Sequence, residues 1–257
     1  MKNLTLSLFI SLLLVGLYAC SDNKDIKADG DIITQPFELG SFEAIEVSIP
    51  GNVYINQDGN ERLEIETSEN LFDVIEVEVK DGVLEISSEY NFKEVSVLNL
   101  YVQVDNISAI EMASPGVLYT LECLESPSLE VEMAGSGGIN LCGNFEDLEV
   151  ILSGSGTINL NNLVAESITT ETTGSGEVNA SGTSTSVDYV IVGSGDVNGF
   201  NMQADFAIVI IEGSGDVEAN VAQNLDVIIT GSGNVRYKGE PKVNSSITGS
   251  GTITKVN

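Results

Sequence analysis

Three carboxylates occupy one position relative to a repeated Gly-Ser-Gly triplet: Glu177, Asp196 and Asp216 each follow a triplet directly. If successive triplets lie above one another, the three side chains form an acidic ladder, and oxygen ligands of this type suit Ca²⁺. Other copies carry Thr157 or Thr252 at the same place, so a row of solvated turn residues explains the pattern as well. We prefer that interpretation, keep the ladder as a candidate metal site, and expect no cofactor.

The composition argues against catalysis. The sequence has no histidine, which removes Ser-His-Asp triads, Cys-His pairs and histidine-ligated zinc. Polysaccharide-cleaving enzymes need a basic residue or carboxylates about 5–10 Å apart, usually in a groove built by long loops. Arg236 stands beside Tyr237 and Lys238, but near the end of the chain, and regular repeats leave no room for such loops. We therefore predict a non-enzyme, with a carbohydrate-active lyase or hydrolase as the alternative.

The first twenty residues are typical of a processing segment. Met1-Lys2 give a positive start, residues 4–17 are mostly apolar, and Ala19 precedes Cys20. This pattern resembles the bacterial lipoprotein signal, in which cleavage precedes the cysteine and its thiol is acylated; an ordinary secretory peptide is the alternative. We predict a signal peptide over residues 1–19, an acylated Cys20 with a flexible tether over 20–35, and one domain over 36–257.

Two further cysteines, Cys123 and Cys142, lie in a chain whose predicted compartment permits disulfides. Their separation equals the repeat length, so they could lie on neighbouring coils. They differ by two places in phase relative to the triplets, however. We therefore expect two separately buried thiols, with a disulfide as the alternative.

The charge of the chain restricts its partners. Ten basic and 39 acidic side chains give a formal net charge of −29. Such a field repels phosphate backbones and anionic headgroups, so we expect no nucleic-acid partner. Solubility in a crowded envelope explains the charge, and attraction of cations or basic partners is the alternative.

An internal repeat predicts the architecture. Seven Gly-Ser-Gly triplets begin at intervals of 18 to 20 residues, and a degenerate copy, Ser114-Pro115-Gly116, precedes them. Glycine suits tight corners because it lacks a Cβ. The predicted corner glycines are Gly135, Gly137, Gly154, Gly156, Gly174, Gly176, Gly193, Gly195, Gly213, Gly215, Gly231, Gly233, Gly249 and Gly251.

Apolar residues alternate between the triplets as they do in strands, and only one corner per period carries glycines. This favours an all-β, right-handed, parallel β-helix-like solenoid of about 19-residue coils, with an antiparallel sandwich or prism as the alternative. Residues 36–111 lack the triplet but contain strand patterns and an Asp81-Gly82 hairpin signal. We predict that they form an irregular β cap at the N-terminal end.

Several segments carry a resemblance to a known family. They are residues 231–242 and 249–253, which resemble its closing signature, and residues 42–49 and 79–86, which resemble its opening. The family is that of the putative auto-transporter adhesins with a head GIN domain, found in Bacteroidota as secreted or lipid-anchored proteins. The resemblance implies a β-helix-like solenoid and supplies no established catalytic residues. Asp22 and Asp25, close behind Cys20, resemble a surface-export signal of the same bacteria.

These observations predict a non-catalytic lipoprotein of the cell envelope that acts as an adhesin or binding module. We expect it at the outer membrane, facing the surface or the periplasm. Its expected partners are the membrane, through the lipid on Cys20, and a glycan or protein ligand.

Overall fold

The computed structural model of the chain describes residues 24–256. It is nearly all β, with 72% of residues in strands and 2% in helix, and it forms a β-solenoid of about seven turns. The predicted β-solenoid is confirmed. Within the described range, no helix is long and apolar enough to cross a membrane. The predicted signal peptide and Cys20 lie outside that range.

Residues 24–256 contain twenty strands. They are β1 Asp25–Lys27, β2 Ile32–Phe37, β3 Ala44–Val47, β4 Asn52–Gln57, β5 Arg62–Ser68, β6 Glu76–Lys80, β7 Val83–Ser87, β8 Asn91–Lys93, β9 Leu98–Val104, β10 Ala109–Met112, β11 Val117–Thr120, β12 Leu124–Gly135, β13 Gly138–Gly154, β14 Thr157–Gly174, β15 Glu177–Gly193, β16 Asp196–Gly213, β17 Val217–Gly231, β18 Asn234–Lys238, β19 Lys242–Gly249 and β20 Thr252–Lys255. A single 3-10 helix, η1 Glu69–Asp73, joins β5 to β6 in the described chain.

Strands β12 to β17 wind around one core, and each pairs in parallel with the strand one coil later. Every second side chain points inward, as the period of a β-strand requires. Ile139 pairs with Ile158, Ile158 with Val178, and Val178 with Val197, and all four are fully buried. The apolar alternation seen in the sequence therefore becomes a set of stacked columns.

Both glycines of each triplet lie at the corner between two strand segments. The first glycines have φ between +115° and +142°. At Gly213, φ is +142° and an added Cβ would lie 2.0 Å from the carbonyl oxygen of Gly193 in the preceding coil. The second glycine, Gly215, has an ordinary φ, but its Cβ would lie 1.9 Å from the oxygen of Gly195. The corner therefore requires glycine at one position for conformation and at the other for close stacking.

The N-terminal region forms a β cap, but its order in the stack is not sequential. Strands β3 and β4 form the first coil, which pairs with β7 and β9 on its outer side and with β10 and β11 on its inner side. Strand β5 lies antiparallel to both β2 and β9, and β6 forms an antiparallel hairpin with β7. Asp81 and Gly82 make the hairpin turn at positive φ, as predicted. The predicted advance of one coil per repeat therefore begins only at β10.

The prediction of a flexible tether up to residue 35 is wrong for the described residues. Strand β1 pairs with β8, and β2 pairs with β5 over its full length. Strand β2 remains exposed, with Ile32 at 41% and Ile33 at 39% of full accessibility. It is held at the sheet edge mainly by backbone pairing with β5, which no alternation of apolar residues in this segment indicates.

The prediction of two separately buried thiols is also wrong, because Cys123 and Cys142 form a disulfide with their Cα atoms 4.4 Å apart. Tyr119 pairs with Asn140 at a spacing of 21 residues, whereas Leu124 pairs with Gly143 at a spacing of 19. The two extra residues of this coil are thus taken up just before Cys123. That shift cancels the apparent phase difference and places the two cysteines side by side.

Two threonines in the core offer a test of packing. The hydroxyls of Thr170 and Thr172 are buried and have no hydrogen-bond partner among residues 24–256. Because an unpaired buried hydroxyl costs about 1–3 kcal/mol, the isosteric changes Thr170→Val and Thr172→Val should each stabilise the protein by about 1 kcal/mol. We expect each to raise the melting temperature by about 3 °C in circular dichroism. Thr173→Val, at an exposed neighbour, is the control, and lower melting temperatures in the core variants would contradict the prediction.

Candidate functional site: the tyrosine face

Three tyrosines lie above one another on the outer side of the strands that follow the corners. Tyr101 on β9 pairs with Tyr54 on β4, which pairs in turn with Tyr119 on β11. The ring centroids of Tyr54 and Tyr101 are 5.2 Å apart and those of Tyr54 and Tyr119 are 5.6 Å apart, with ring planes within 16° of parallel. Tyr101 is 37% and Tyr119 38% exposed. We call these three residues and the cleft beside them the tyrosine face.

The cleft beside this stack has a volume of about 230 Å³. It is lined by Tyr54, Asn56, Arg62, Glu64, Tyr101, Val102, Gln103 and Leu121. Strand β5 supplies Arg62 and Glu64, because it runs antiparallel to β9 along one side of the stack. Arg62 forms an ion pair with Glu64 within the cleft. The cleft thus combines aromatic and aliphatic surface with four polar or charged side chains that can hydrogen-bond to a ligand.

The hydroxyl of Tyr101 is fixed by a hydrogen bond. It donates to Oε2 of Glu66 over 3.1 Å, and the side-chain amide of Asn99 donates to the same oxygen over 2.8 Å. Burial and the neighbouring Glu66 carboxylate raise the pKa of Tyr101. The phenol therefore stays protonated at neutral pH and holds one orientation, which suits a group that positions a ligand.

Asparagines continue the tyrosine column along the solenoid. Asn140 follows Tyr119, and Asn159, Asn179 and Asn198 occupy the next three coils. The side-chain amide of each of these last three donates to the asparagine before it over 2.9–3.0 Å. The spacing along the column is that of parallel strands, about 4.8 Å. The amides satisfy one another and make a flat, rigid, polar surface that leads away from the tyrosines.

The predicted acidic ladder does form. Glu177 pairs with Asp196, and the backbone N–H of Asp216 donates to Oδ1 of Asp196 over 2.9 Å. Asn234 donates to Asp216 through both its backbone N–H, over 2.8 Å, and its side-chain amide, over 2.9 Å. Among residues 24–256, no group of three acidic, cysteine or histidine side chains could hold a metal ion. The ladder thus accepts hydrogen bonds from protein donors and joins coil to coil.

A second acidic column lies on the strands that precede the corners. Glu85, Glu46, Glu111 and Glu132 are aligned by the parallel pairing of β7, β3, β10 and β12. Burial raises the pKa of both Glu111 and Glu132, and the neighbouring carboxylates of Glu46 and Glu130 add to the rise. These carboxylates are therefore destabilising while they are charged.

This column predicts a pH dependence. A carboxyl whose pKa is raised by folding stabilises the protein most when protonated, so stability should increase as the pH falls from 7 towards the ordinary carboxyl pKa of 4.5. Glu132→Gln should raise the melting temperature at pH 7 by about 2 °C and reduce the gain between pH 7 and 5. Glu146→Gln, on an exposed side chain, serves as the control. An unchanged pH profile of Glu132→Gln would refute the prediction.

The tyrosine face was not predicted from the sequence. Tyr54 and Tyr119 each stand three residues after a corner glycine, Gly51 and Gly116. That common offset was the available signal. Tyr101 gave none, because Leu98 holds the corresponding corner, and only the pairing of β4 with β9 brings it into the stack.

Comparison with known proteins gives a consistent result. The model of the family described as "Putative auto-transporter adhesin, head GIN domain" matches residues 41–162 and 142–241. No curated protein matches the sequence. The crystal structure of a putative lipid binding protein from Parabacteroides distasonis has a TM-score of 0.84 at 28% identity, covering 91% of this chain and all of that one. A putative adhesin from Parabacteroides merdae has a TM-score of 0.87 at 22% identity with the same coverage, which shows a common fold.

Proposed function

Because the chain belongs to the family of putative auto-transporter adhesins with a head GIN domain, we propose that it is a non-catalytic binding protein of the cell envelope whose tyrosine face holds a glycan. The observation that carries this proposal is the stack of Tyr101, Tyr54 and Tyr119 beside a cleft of amide and carboxylate groups. Aromatic rings supply apolar area, and amides supply both donors and acceptors for hydroxyl groups.

The negative charge of the protein restricts the class of glycan that the cleft can bind. The chain carries a net charge of −29, and Glu64 and Glu66 lie at or beside the cleft. A field of this sign repels sulfated or uronic-acid polymers. The proposed ligand is therefore a neutral or cationic glycan.

One feature supports a binding role rather than hydrolysis. The carboxylates at the cleft are engaged, Glu64 with Arg62 and Glu66 with Asn99 and Tyr101. A carboxylate held in this way is not positioned to transfer a proton to a glycosidic oxygen. Release of shorter sugars from a bound glycan would contradict the proposal.

The proposal includes the lipid anchor on Cys20 and a place at the outer membrane. Cys20 is four residues from Lys24, whose carbonyl accepts a hydrogen bond from the N–H of Asn91 in the cap over 2.8 Å. An anchor there would hold the cap near the membrane, with the later coils extending away from it. Labelling with radioactive palmitate, lost in Cys20→Ala, tests the anchor, and protease treatment of intact cells tests the surface location.

The binding role is tested with a glycan array followed by calorimetry on the purified protein. Replacing one ring of the stack, Tyr54→Ala, should weaken binding of the selected glycan about tenfold, the effect of losing about 1.4 kcal/mol. Tyr90→Ala removes a tyrosine of the cap outside the stack and is the matched control. The proposal fails if no neutral or cationic glycan binds, or if both variants bind equally well.

A lipid is the competing ligand, because the Parabacteroides distasonis relative is named a putative lipid binding protein. Neutral phosphatidylcholine vesicles are therefore included in the same screen. Binding to vesicles that Tyr54→Ala does not change would place the ligand elsewhere and contradict the role of the tyrosine face.

A further inference from the structure

The C-terminal end of the solenoid presents two open strand edges. Among the described residues, β19 pairs only with β17, and β20 pairs only with β18. The backbone N–H of Glu130 donates to the carbonyl oxygen of Ser108 in the preceding coil over 3.0 Å. The N–H of Ser250 donates to the carbonyl oxygen of Gly231, also one coil earlier, over 2.9 Å. Along a parallel strand, the backbone N–H groups of successive residues point alternately to the two neighbouring strands. The N–H groups of Val243, Ser245 and Ile247 therefore point away from the preceding coil and out of the end of the solenoid. The last coil can therefore accept another strand.

The side chains at this end continue the core without a cover. Val243 follows Leu225, Ile247 follows Ile229, and Ile253 follows Val235 in their columns. Ile229 is completely buried, whereas Ile247 is 42% exposed. An added strand would bury this apolar surface as well as pair the backbone.

The charge at this end is opposite to that of the rest of the chain. Residues 227–257 carry four of the ten basic side chains, Arg236, Lys238, Lys242 and Lys255, and one acidic side chain, Glu240. Arg236 pairs with Glu218 and Lys255 with Glu240, while Lys238 lies 4.3 Å from the ring centre of Phe200. Lys242 opens β19 and has no ion pair among the described residues. The open end thus carries more basic than acidic side chains, on a protein that is strongly acidic as a whole.

We propose that this end binds an extended acidic polypeptide segment, which adds a strand to the edge formed by β19 and β20. The open backbone groups favour a polypeptide, the partly buried Val243 and the exposed Ile247 favour apolar side chains on one face of it, and the basic residues favour acidic ones on the other. Symmetric contact between the ends of two copies would bring like charges together. This surface lies at the opposite end of the solenoid from the cap and is independent of the tyrosine face.

The probe for this proposal is a labelled eight-residue peptide of alternating valine and glutamate, the length of β19. Fluorescence anisotropy at low salt should show saturable binding to the purified protein. The double variant Lys242→Glu, Lys255→Glu should weaken binding at least about tenfold, since it reverses two charges at the edge. The matched control, Lys24→Glu with Lys93→Glu, makes the same charge change on the cap and should leave binding unchanged.

Proline tests the backbone contribution separately. Ser245→Pro removes an outward N–H without removing a bond to β17, and proline is tolerated on edge strands. It should weaken the peptide at least about tenfold through the lost pairing. Equal binding of a polyglutamate peptide or of an alternating valine–lysine peptide would overturn the proposal, as would no binding at all. Self-association in sedimentation experiments that the lysine variants abolish would show instead that a second copy occupies the edge.

Discussion

Gly213→Ala is expected to lower the melting temperature of the protein by about 10 °C. The residue has a φ of +142°, and its new Cβ would lie 2.0 Å from the carbonyl oxygen of Gly193. That oxygen also accepts the N–H of Ser214 over 2.7 Å, so the two coils cannot separate without losing a ladder bond. Backbone strain and overpacking each cost about 1–3 kcal/mol, and a loss of about 4 kcal/mol corresponds to the expected shift.

The matched control is Gly40→Ala, because an added Cβ at Gly40 meets no atom within 4 Å. Its effect should stay within about 0.5 kcal/mol. Thermal unfolding followed by circular dichroism separates the two variants. Equal melting temperatures would mean that the coils are not stacked as closely as the structure shows.

Removing the disulfide should give the second large effect. The bond joins residues 19 apart in sequence, and cross-linking a loop of this size restricts the unfolded chain by about 3 kcal/mol. The double variant Cys123→Ser, Cys142→Ser should therefore melt about 8 °C lower than the oxidised protein. Cys123 is exposed, so serine leaves no cavity there and the loss reflects mainly the missing bond.

A reducing agent provides the control for this experiment. It should lower the melting temperature of the unchanged protein to that of the double variant and leave the variant itself unaffected. Two free thiols in a thiol titration of the oxidised protein would rule the disulfide out.

The coils from residue 124 onwards could be predicted from the sequence because a single requirement recurs in every copy. Gly213 and Gly231 meet the same steric limit against the coil before them, and the buried Val197 and Val217 continue one column. The cap could not be predicted at this level. Strand β3 pairs with β7 and β10, and nothing in residues 44–47 indicates that two later segments will lie on either side of them.

The tyrosine face was also hard to predict, because it depends on pairing between strands that are far apart in sequence. Acidic residues at equal offsets were recognised, because regular spacing makes them visible as a row. Tyr101 joins the stack through long-range pairing between β4 and β9, which no local pattern encodes. The disulfide was not predicted because the two cysteines were compared by their distance in sequence from the corner before them. The coil containing Cys123 has two extra residues, so equal distances from the corners do not mark neighbouring positions there.

The irregularities of the later coils share one location. Register shifts fall between Cys142 and Asn144, between Leu160 and Leu163, and between Asn179 and Ser181, on the side away from the glycine corners. Asn162 adopts a positive φ in the middle of this stretch. Differences in coil length are therefore accommodated on that side, while the glycine corners remain stacked above one another. A foreign peptide inserted beside Asn162 would project from this side and leave the fold intact. Insertion at the same place in another coil would display the peptide at a different distance from the N-terminal cap.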